Sequence, residues 1–242
     1  ANPPVLLDVM AELLKTNKAF QKEWESHNLK VLGLTATDLY DIYTKKPLTG
    51  IADINGMKIS APGVLGNWLR GTGANAVDGA LPTYYTDLQT GVSDGVLTLA
   101  LGALPVKIYE VAPYINRFDA GAAFSGAVAI NRDSWDGLPA DVQDAMIEAG
   151  KYYTDAHGQD LVKRHEFALN KMVELGANQD PPVTIVPMPA SERAKWVSLL
   201  PDLAGDWAAS LEQRGLPARD FMKQYMEGLR ARGEKPVRDW DR

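Results

Sequence analysis

PADVQDAMIEAGKYYTDAHGQDLVKRHEFALNKMVEL, residues 139–175, is the stretch on which the fold turns. Pro139 is suited to open a helix, because its fixed φ matches the first turn and its missing N–H would have no partner there. Val142, Met146, Ala149, Tyr153, Ala156, Leu161, Ala168, Met172 and Leu175 then recur at helical spacing, and Gly176 stops the pattern. At 1.5 Å per residue the run is about 55 Å long. A small domain is narrower than that. The helix therefore either spans two lobes or breaks near Gly150 or Gly158.

Helices and short strands alternate on either side. Pro3 and Pro4 precede Val5, Leu6, Val9, Met10, Leu13 and Leu14, predicting a helix that continues to about Trp24. Leu29–Leu34, Met57–Ser60, Ala76–Val77 and Val183–Val186 read as strands, and Lys45–Leu48 as a loop. Val64–Leu69 and the segment from Pro82 to Gln89 read as helices. The apolar run after Gly95 and the small-residue run Ala120–Ile130 suit buried segments. Ser191 is placed to cap the following helix, Pro201 ends or kinks it, and a last helical pattern reaches about Arg232. Gly73-Ala74-Asn75 and Gly176-Ala177-Asn178 each close a helix and lead to a strand, a proline and another helix. Two such units suggest two α/β layers with parallel or mixed sheets.

Composition narrows the function. The 242 residues allow one large or two small domains, and 45% apolar with 23% charged residues excludes a disordered chain. A net charge of −6 argues against nucleic-acid binding and against an anionic membrane surface. Arg230–Arg242 is interrupted by Glu234, Asp239 and Asp241 and reads as a solvated end. No cysteine is present, which removes thiol catalysis, disulfides and thiolate metal sites. The longest apolar stretch, Val96–Val106, falls well short of the roughly 20 residues of a membrane helix. The chain starts at Ala1 rather than Met, so a processed or trimmed N-terminus is expected.

No constellation demands catalysis. Gly71-Thr72-Gly73-Ala74-Asn75-Ala76 fits a dinucleotide fingerprint, but a helix enters and a strand leaves, which points to a helix C-cap instead. His157 and His165 stand eight apart, not at the spacing of a helical metal pair. His165-Glu166 beside Lys163-Arg164 reads as a solvated helix face, and Asp38, Asp41 and Asp53 as acids of a solvated loop. There is no G-x-S-x-G elbow. No catalytic residue, metal or cofactor is expected.

The segment Thr86-Asp87-Leu88-Gln89-Thr90-Gly91-Val92-Ser93-Asp94-Gly95 resembles the "ALQTGVVDG" signature of the solute-binding proteins of TRAP transporters, the DctP-type family. Asn55–Pro62 resembles that family's "LKGLKIRVP", Gly73-Ala74-Asn75 its "LGANPV", and Asn131–Pro139 its "NKDWWDSLP". The four motifs occur in the family's order between about Leu29 and Trp196. The resemblance implies an α/β, two-lobed periplasmic binding protein-like fold with a long helix spanning both lobes. It further implies a protein of the periplasm that captures a small-molecule solute by hinge closure and delivers it to TRAP membrane permease subunits, without chemistry and without membrane insertion. The expected division is 1–30 as a remnant of lobe I, 31–125 as lobe II, 126–167 as the lobe I return segment and long helix, and 168–242 as the completion of lobe II with the C-terminal helices. Roughly the first third of a family chain has no counterpart here.

The pocket positions implied by the resemblance have changed. The family's carboxylate-clamping arginine of "KIRVP" falls on Ser60, an aromatic on Leu81, an asparagine on Thr98, and a second arginine near Leu39. A buried carboxylate without a cationic partner costs several kcal/mol. Ser60, Leu81, Thr98, Asp38, Tyr40, Trp68 and Asp119 are the candidate ligand-binding residues, and acids among aromatic neighbours suit an ammonium. Arg70 and Arg117 are further cations that no motif places in the pocket. The alternatives are an organic-acid binder whose cationic anchor lies in the absent N-terminal part, a two-lobed enzyme, and a sensor that uses the same fold.

Overall fold

The computed structural model describes residues 2–242. The chain opens with helices α1 (Pro3–Thr16) and α2 (Lys18–Ser26), then strands β1 (Leu29–Ala36), β2 (Tyr40–Thr44), β3 (Lys58–Ala61) and β4 (Asn75–Asp78). Helix α3 (Leu81–Thr90), strand β5 (Gly95–Leu99), two short helices α4 (Ala100–Ala103) and α5 (Ile108–Val111), and strands β6 (Tyr114–Arg117) and β7 (Ser125–Asn131) follow. Helices α6 (Arg132–Asp136) and α7 (Ala140–Leu175), strand β8 (Thr184–Pro187), and helices α8 (Ala190–Leu199), α9 (Leu203–Glu212) and α10 (Ala218–Ala231) complete it.

The first helical pattern is two helices because Asn17 ends one and starts the next. Its N–H reaches the Leu13 carbonyl, while its Oδ1 accepts the Phe20 N–H at 2.9 Å. The chain after Pro201 likewise forms two helices, separated at Gly215-Leu216-Pro217. Ser191 lies in the first turn of α8, whose N-cap is Pro189.

The chain divides into two units, one made of the segment up to Thr37 with Phe124–Val162 and Asp202–Arg242, the other of Asp38–Ala123 with Lys163–Pro201. Asp202–Arg242 thus groups with the first residues of the chain, where the sequence reading put it in lobe II. The cause is apolar packing, since Met226 and Leu229 of α10 bury against Val9 and Leu13 of α1.

In the first unit β1 and β7 pair antiparallel, from Leu29 opposite Asn131 to Ala36 opposite Ser125, with an irregularity between Val31 and Gly33. Helix α7 crosses β1 there. Thr154 Oγ1 accepts the Leu34 N–H at 2.9 Å, and a Cβ on Gly150 would collide with the Leu32 carbonyl. Gly150 and Gly158 are therefore contact points and not breaks. At Gly158 the approach is looser, and a Cβ would stand 3.2 Å from Pro4 Cα and Leu7 Cδ1 of α1. The run Ala120–Ile130 is not a buried segment: Phe124 and Val128 are 41% and 44% exposed, and β1 is the one strand paired with β7 among the described residues.

The second unit is built on a six-stranded sheet in the order β4-β3-β5-β2-β6-β8. β3 pairs parallel with β4 and β5, β6 pairs parallel with β8, and β2 runs antiparallel between β5 and β6. The two Gly-Ala-Asn units supply β4 and β8, which are the two edges of one sheet and not separate layers. Alternation along β2 sends Ile42 into one core with Leu69, Phe118 and Trp196, and Tyr43 into another with Tyr84, Ala168, Leu169 and Met172.

Asn116 on β6 locks the middle of this sheet. Its Oδ1 accepts the Leu48 N–H at 2.9 Å, and its Nδ2 donates to the Ile42 carbonyl at 2.9 Å and to Thr44 Oγ1 at 2.8 Å. Asn116→Ala would leave these buried groups without partners, so urea denaturation is expected to show a loss of about 3 kcal/mol.

Candidate functional site

Five strands of the second unit run the same way, so their carboxyl ends share one edge of the sheet, where open α/β sheets take their ligands. Ser60 is near the end of β3, Thr98 near the end of β5 and Arg117 at the end of β6. Because β2 is reversed, its first residues come to that edge too, with Tyr40 opposite Leu99 and Asp41 opposite Thr98. Asp38 immediately precedes β2, Leu81 opens α3 after β4, Asp119 follows β6, and Trp68 belongs to the 3-10 turn Gly63–Leu69 that follows β3. All of these but Trp68 thus gather along one edge, and Trp68 lies in the connection that returns from the end of β3 to the start of β4. Their accessibility differs. Ser60, Thr98, Tyr40 and Asp38 are buried, Leu81 and Trp68 are half-buried, and Asp119 is exposed.

Asp38 and Asp41 are not acids of a solvated loop. Asp38 is wholly buried, and its Oδ2 accepts the Leu101 N–H at 3.1 Å and the Nδ1–H of His165 at 2.9 Å. Nor is His165 on a solvated face, being 2% exposed. Leu161, His165, Ala168, Leu169 and Met172 form the buried stripe of this part of α7. That i, i+4, i+7, i+8, i+11 spacing was visible in the sequence; the charged neighbours Lys163, Arg164 and Glu166 masked it.

Asp41 is also wholly buried, with Oδ1 accepting the Asp119 N–H at 3.0 Å. Burial pushes its pKa up to about 6, helped by the charge of Asp119 and opposed by that N–H, His165 and Arg117. Burial, with the charge of Asp38, likewise pushes the Tyr40 phenol up to about 12. Arg117 donates from Nη1 to Glu166 at 3.1 Å and from Nη2 to Asp119 at 3.2 Å. Asp38 Oδ1, Asp41 Oδ2, Tyr43 Oη, Ser60 Oγ, Arg117 Nε and His165 Nε2 are buried with no hydrogen-bond partner.

Asp53 stands apart from these acids. Its carboxylate accepts from the Thr49 N–H and hydroxyl and from the Gly50 N–H, which holds its pKa below the usual range. Trp68 is half core: it packs on the Ile42 cluster and its carbonyl accepts the Trp196 Nε1–H at 2.6 Å. His157 is structural, hydrogen-bonding Thr35 Oγ1 at 2.9 Å and stacking on Tyr153.

The edge therefore concentrates acids. Asp41, Asp119 and Glu166 act on Arg117, and Asp38 meets the imidazole of His165. Among the described residues no group of three His, Cys, Asp or Glu side chains could hold a metal, and no helix is long and apolar enough to cross a membrane. The arrangement can hydrogen-bond and attract positive charge.

The family described as bacterial extracellular solute-binding protein, family 7, matches residues 8–209. The C4-dicarboxylate-binding periplasmic protein DctP of Rhodobacter capsulatus is 30% identical over 179 residues, which is 71% of this chain and 52% of that protein. The ectoine/5-hydroxyectoine-binding periplasmic protein UehA of Ruegeria pomeroyi is 30% identical over 156 residues, covering 60% of this chain and 44% of that protein. The chain spans about half the length of these relatives. Among solved structures, a TRAP periplasmic solute-binding protein from Desulfovibrio salexigens matches with a TM-score of 0.79 at 19% identity, over 97% of this chain and 69% of that one. The periplasmic ectoine-binding protein of the TeaABC TRAP transporter of Halomonas elongata matches with a TM-score of 0.76 at 22% identity, over 94% and 72%. At such identities the likeness establishes the fold, an α/β chain in two units carrying one long helix.

Proposed function

The chain belongs to the bacterial extracellular solute-binding protein family 7, and on that premise we propose that it is the periplasmic solute-binding component of a TRAP-type transporter. It captures a small polar organic solute and delivers it to membrane permease subunits, with no chemical step. The observation that carries this reading is the family match across residues 8–209.

The solute is one that carries an ammonium group rather than a simple carboxylate. Two features support this. Ser60 stands where the family resemblance places a carboxylate-clamping arginine, and three acids, Asp41, Asp119 and Glu166, surround Arg117 at the end of β6. Of these, Asp119 and Glu166 have side chains that are each 52% exposed. Asp119 is the anchor, being the exposed acid at the end of β6, where its Oδ1 is shared with Arg117 Nη2 at 3.2 Å, whereas Asp38 is wholly buried.

A thermal-shift screen with small amines, small carboxylates and neutral polar solutes tests both parts. A ligand at 100 times its dissociation constant adds about 2.7 kcal/mol of stability. Amines are expected to raise the melting temperature, and Asp119→Asn to abolish the rise. A rise confined to carboxylates would overturn the ammonium assignment while leaving solute binding intact. Turnover of any stabilising ligand would overturn the binding-only reading.

A further inference from the structure

We propose that Asp41 is a buried proton-binding site that fills as pH falls below neutrality and stabilises the packing of α7 against β2. The site needs no bound solute.

Asp38 Oδ2 is hydrogen-bonded by His165 Nδ1 at 2.9 Å and by the Leu101 N–H at 3.1 Å. Asp41 is less well provided. Its single hydrogen bond is the Asp119 N–H on Oδ1, and Oδ2 has no partner although the side chain is wholly buried. Arg117 does not supply the missing partner, because its Nη atoms are turned to Glu166 and Asp119. A carboxylate taken out of water with one neutral donor is more stable as the neutral acid. The proton goes to Oδ2, and a partnerless acceptor becomes a donor. Tyr43, on the same face of β2, is also wholly buried with its Oη unpartnered.

The charged and titratable groups that act on Asp41 are Arg117 and Asp119 from the end of β6 and His165 from α7, with Tyr43 on its own strand, Asp38 bonded to His165 and Glu166 bonded to Arg117. Removing one negative charge here lessens the repulsion of Asp41 with Asp119.

The sign follows from linkage. A native carboxyl near pH 6 against an unfolded one near 3.9 means that the native state holds more protons between those values. The contribution of Asp41 to stability is present in full below pH 4 and is lost as pH rises through about 6. It amounts to about a hundredfold in the unfolding equilibrium.

The test is a carbon-13 titration of aspartate-labelled protein between pH 4.5 and 8, joined to urea denaturation across the same range. One aspartate carboxyl is expected to titrate near pH 6 and to vanish in Asp41→Asn, which keeps the acceptor for the Asp119 N–H. That variant should gain stability over the wild type at pH 8 and lose the hundredfold dependence. If it does not fold, the wild-type titration decides alone. All aspartate carboxyls titrating below about pH 5, or equal pH dependence in wild type and variant, would overturn the proposal.

Discussion

His165→Ala is expected to lower the unfolding free energy by about 3–5 kcal/mol, among the largest effects of any single change in the second unit. The reason is Asp38. In the wild type its Oδ2 meets the imidazole Nδ1 at 2.9 Å, and both side chains are at or below 2% exposure. Deleting the imidazole leaves a carboxylate wholly buried with one backbone donor, the Leu101 N–H. It also opens a cavity in the stripe that seats α7 beside Ala168 and Leu169. Urea denaturation at pH 7 reads the loss. The double variant Asp38→Ala, His165→Ala should fall short of the sum of the singles by at least about 1 kcal/mol, because the charge that the first change strands is then gone. Strictly additive losses would mean that the contact carries no coupling energy.

Gly150→Ala should cost about 3 kcal/mol, against the usual direction of such a change. In an exposed helix, alanine is more stable than glycine by about 1 kcal/mol. Here α7 lies against β1 so closely that a Cβ at residue 150 would strike the Leu32 carbonyl and approach the Gly33 nitrogen to 3.2 Å. Both are backbone, so neither can swing aside, and the helix must move off the strand. That movement would also stretch the Leu34 N–H to Thr154 Oγ1 bond of 2.9 Å. Gly137→Ala is the control. Its Cβ would meet nothing closer than 3.6 Å, and the change should stay within about 0.5 kcal/mol. Equal stability of the two variants would show that the α7–β1 approach is not tight.

The elements with strong local signals were readable without the structure. The 3.6-residue recurrence from Val142 to Leu175 marked helix along the whole run while leaving a break at Gly150 or Gly158 open, and the short run Val183–Val186 marked the strand before α8. The same local logic failed wherever two elements compete for one residue. Asn17 looked like an interior polar position and is a cap for two helices at once. Gly150 and Gly158 looked like breakpoints, because glycine weakens a helix in isolation; their real role lies in what passes beside them.

The candidate residues have two origins. Ser60, Leu81 and Thr98 come from positions along family motifs, and Asp38, Tyr40, Trp68 and Asp119 are acids and aromatics near them; all but Trp68 lie along one edge. Their accessibility was not readable. Asp38, Asp41 and His165 are charged or titratable types that local context assigns to water, and each is buried because another element covers it. Sequence by itself determined the helix and strand periods, the acidic balance, the lack of thiol chemistry and the motif order that marks the family. Tertiary structure alone decided which acids lose their water, that the two Gly-Ala-Asn units edge one sheet, and that residues 127 positions apart form a buried pair. Periodicity and composition are local properties of the chain. Desolvation and charge pairing depend on what distant segments bring against a residue, and they take their value only once the chain has folded.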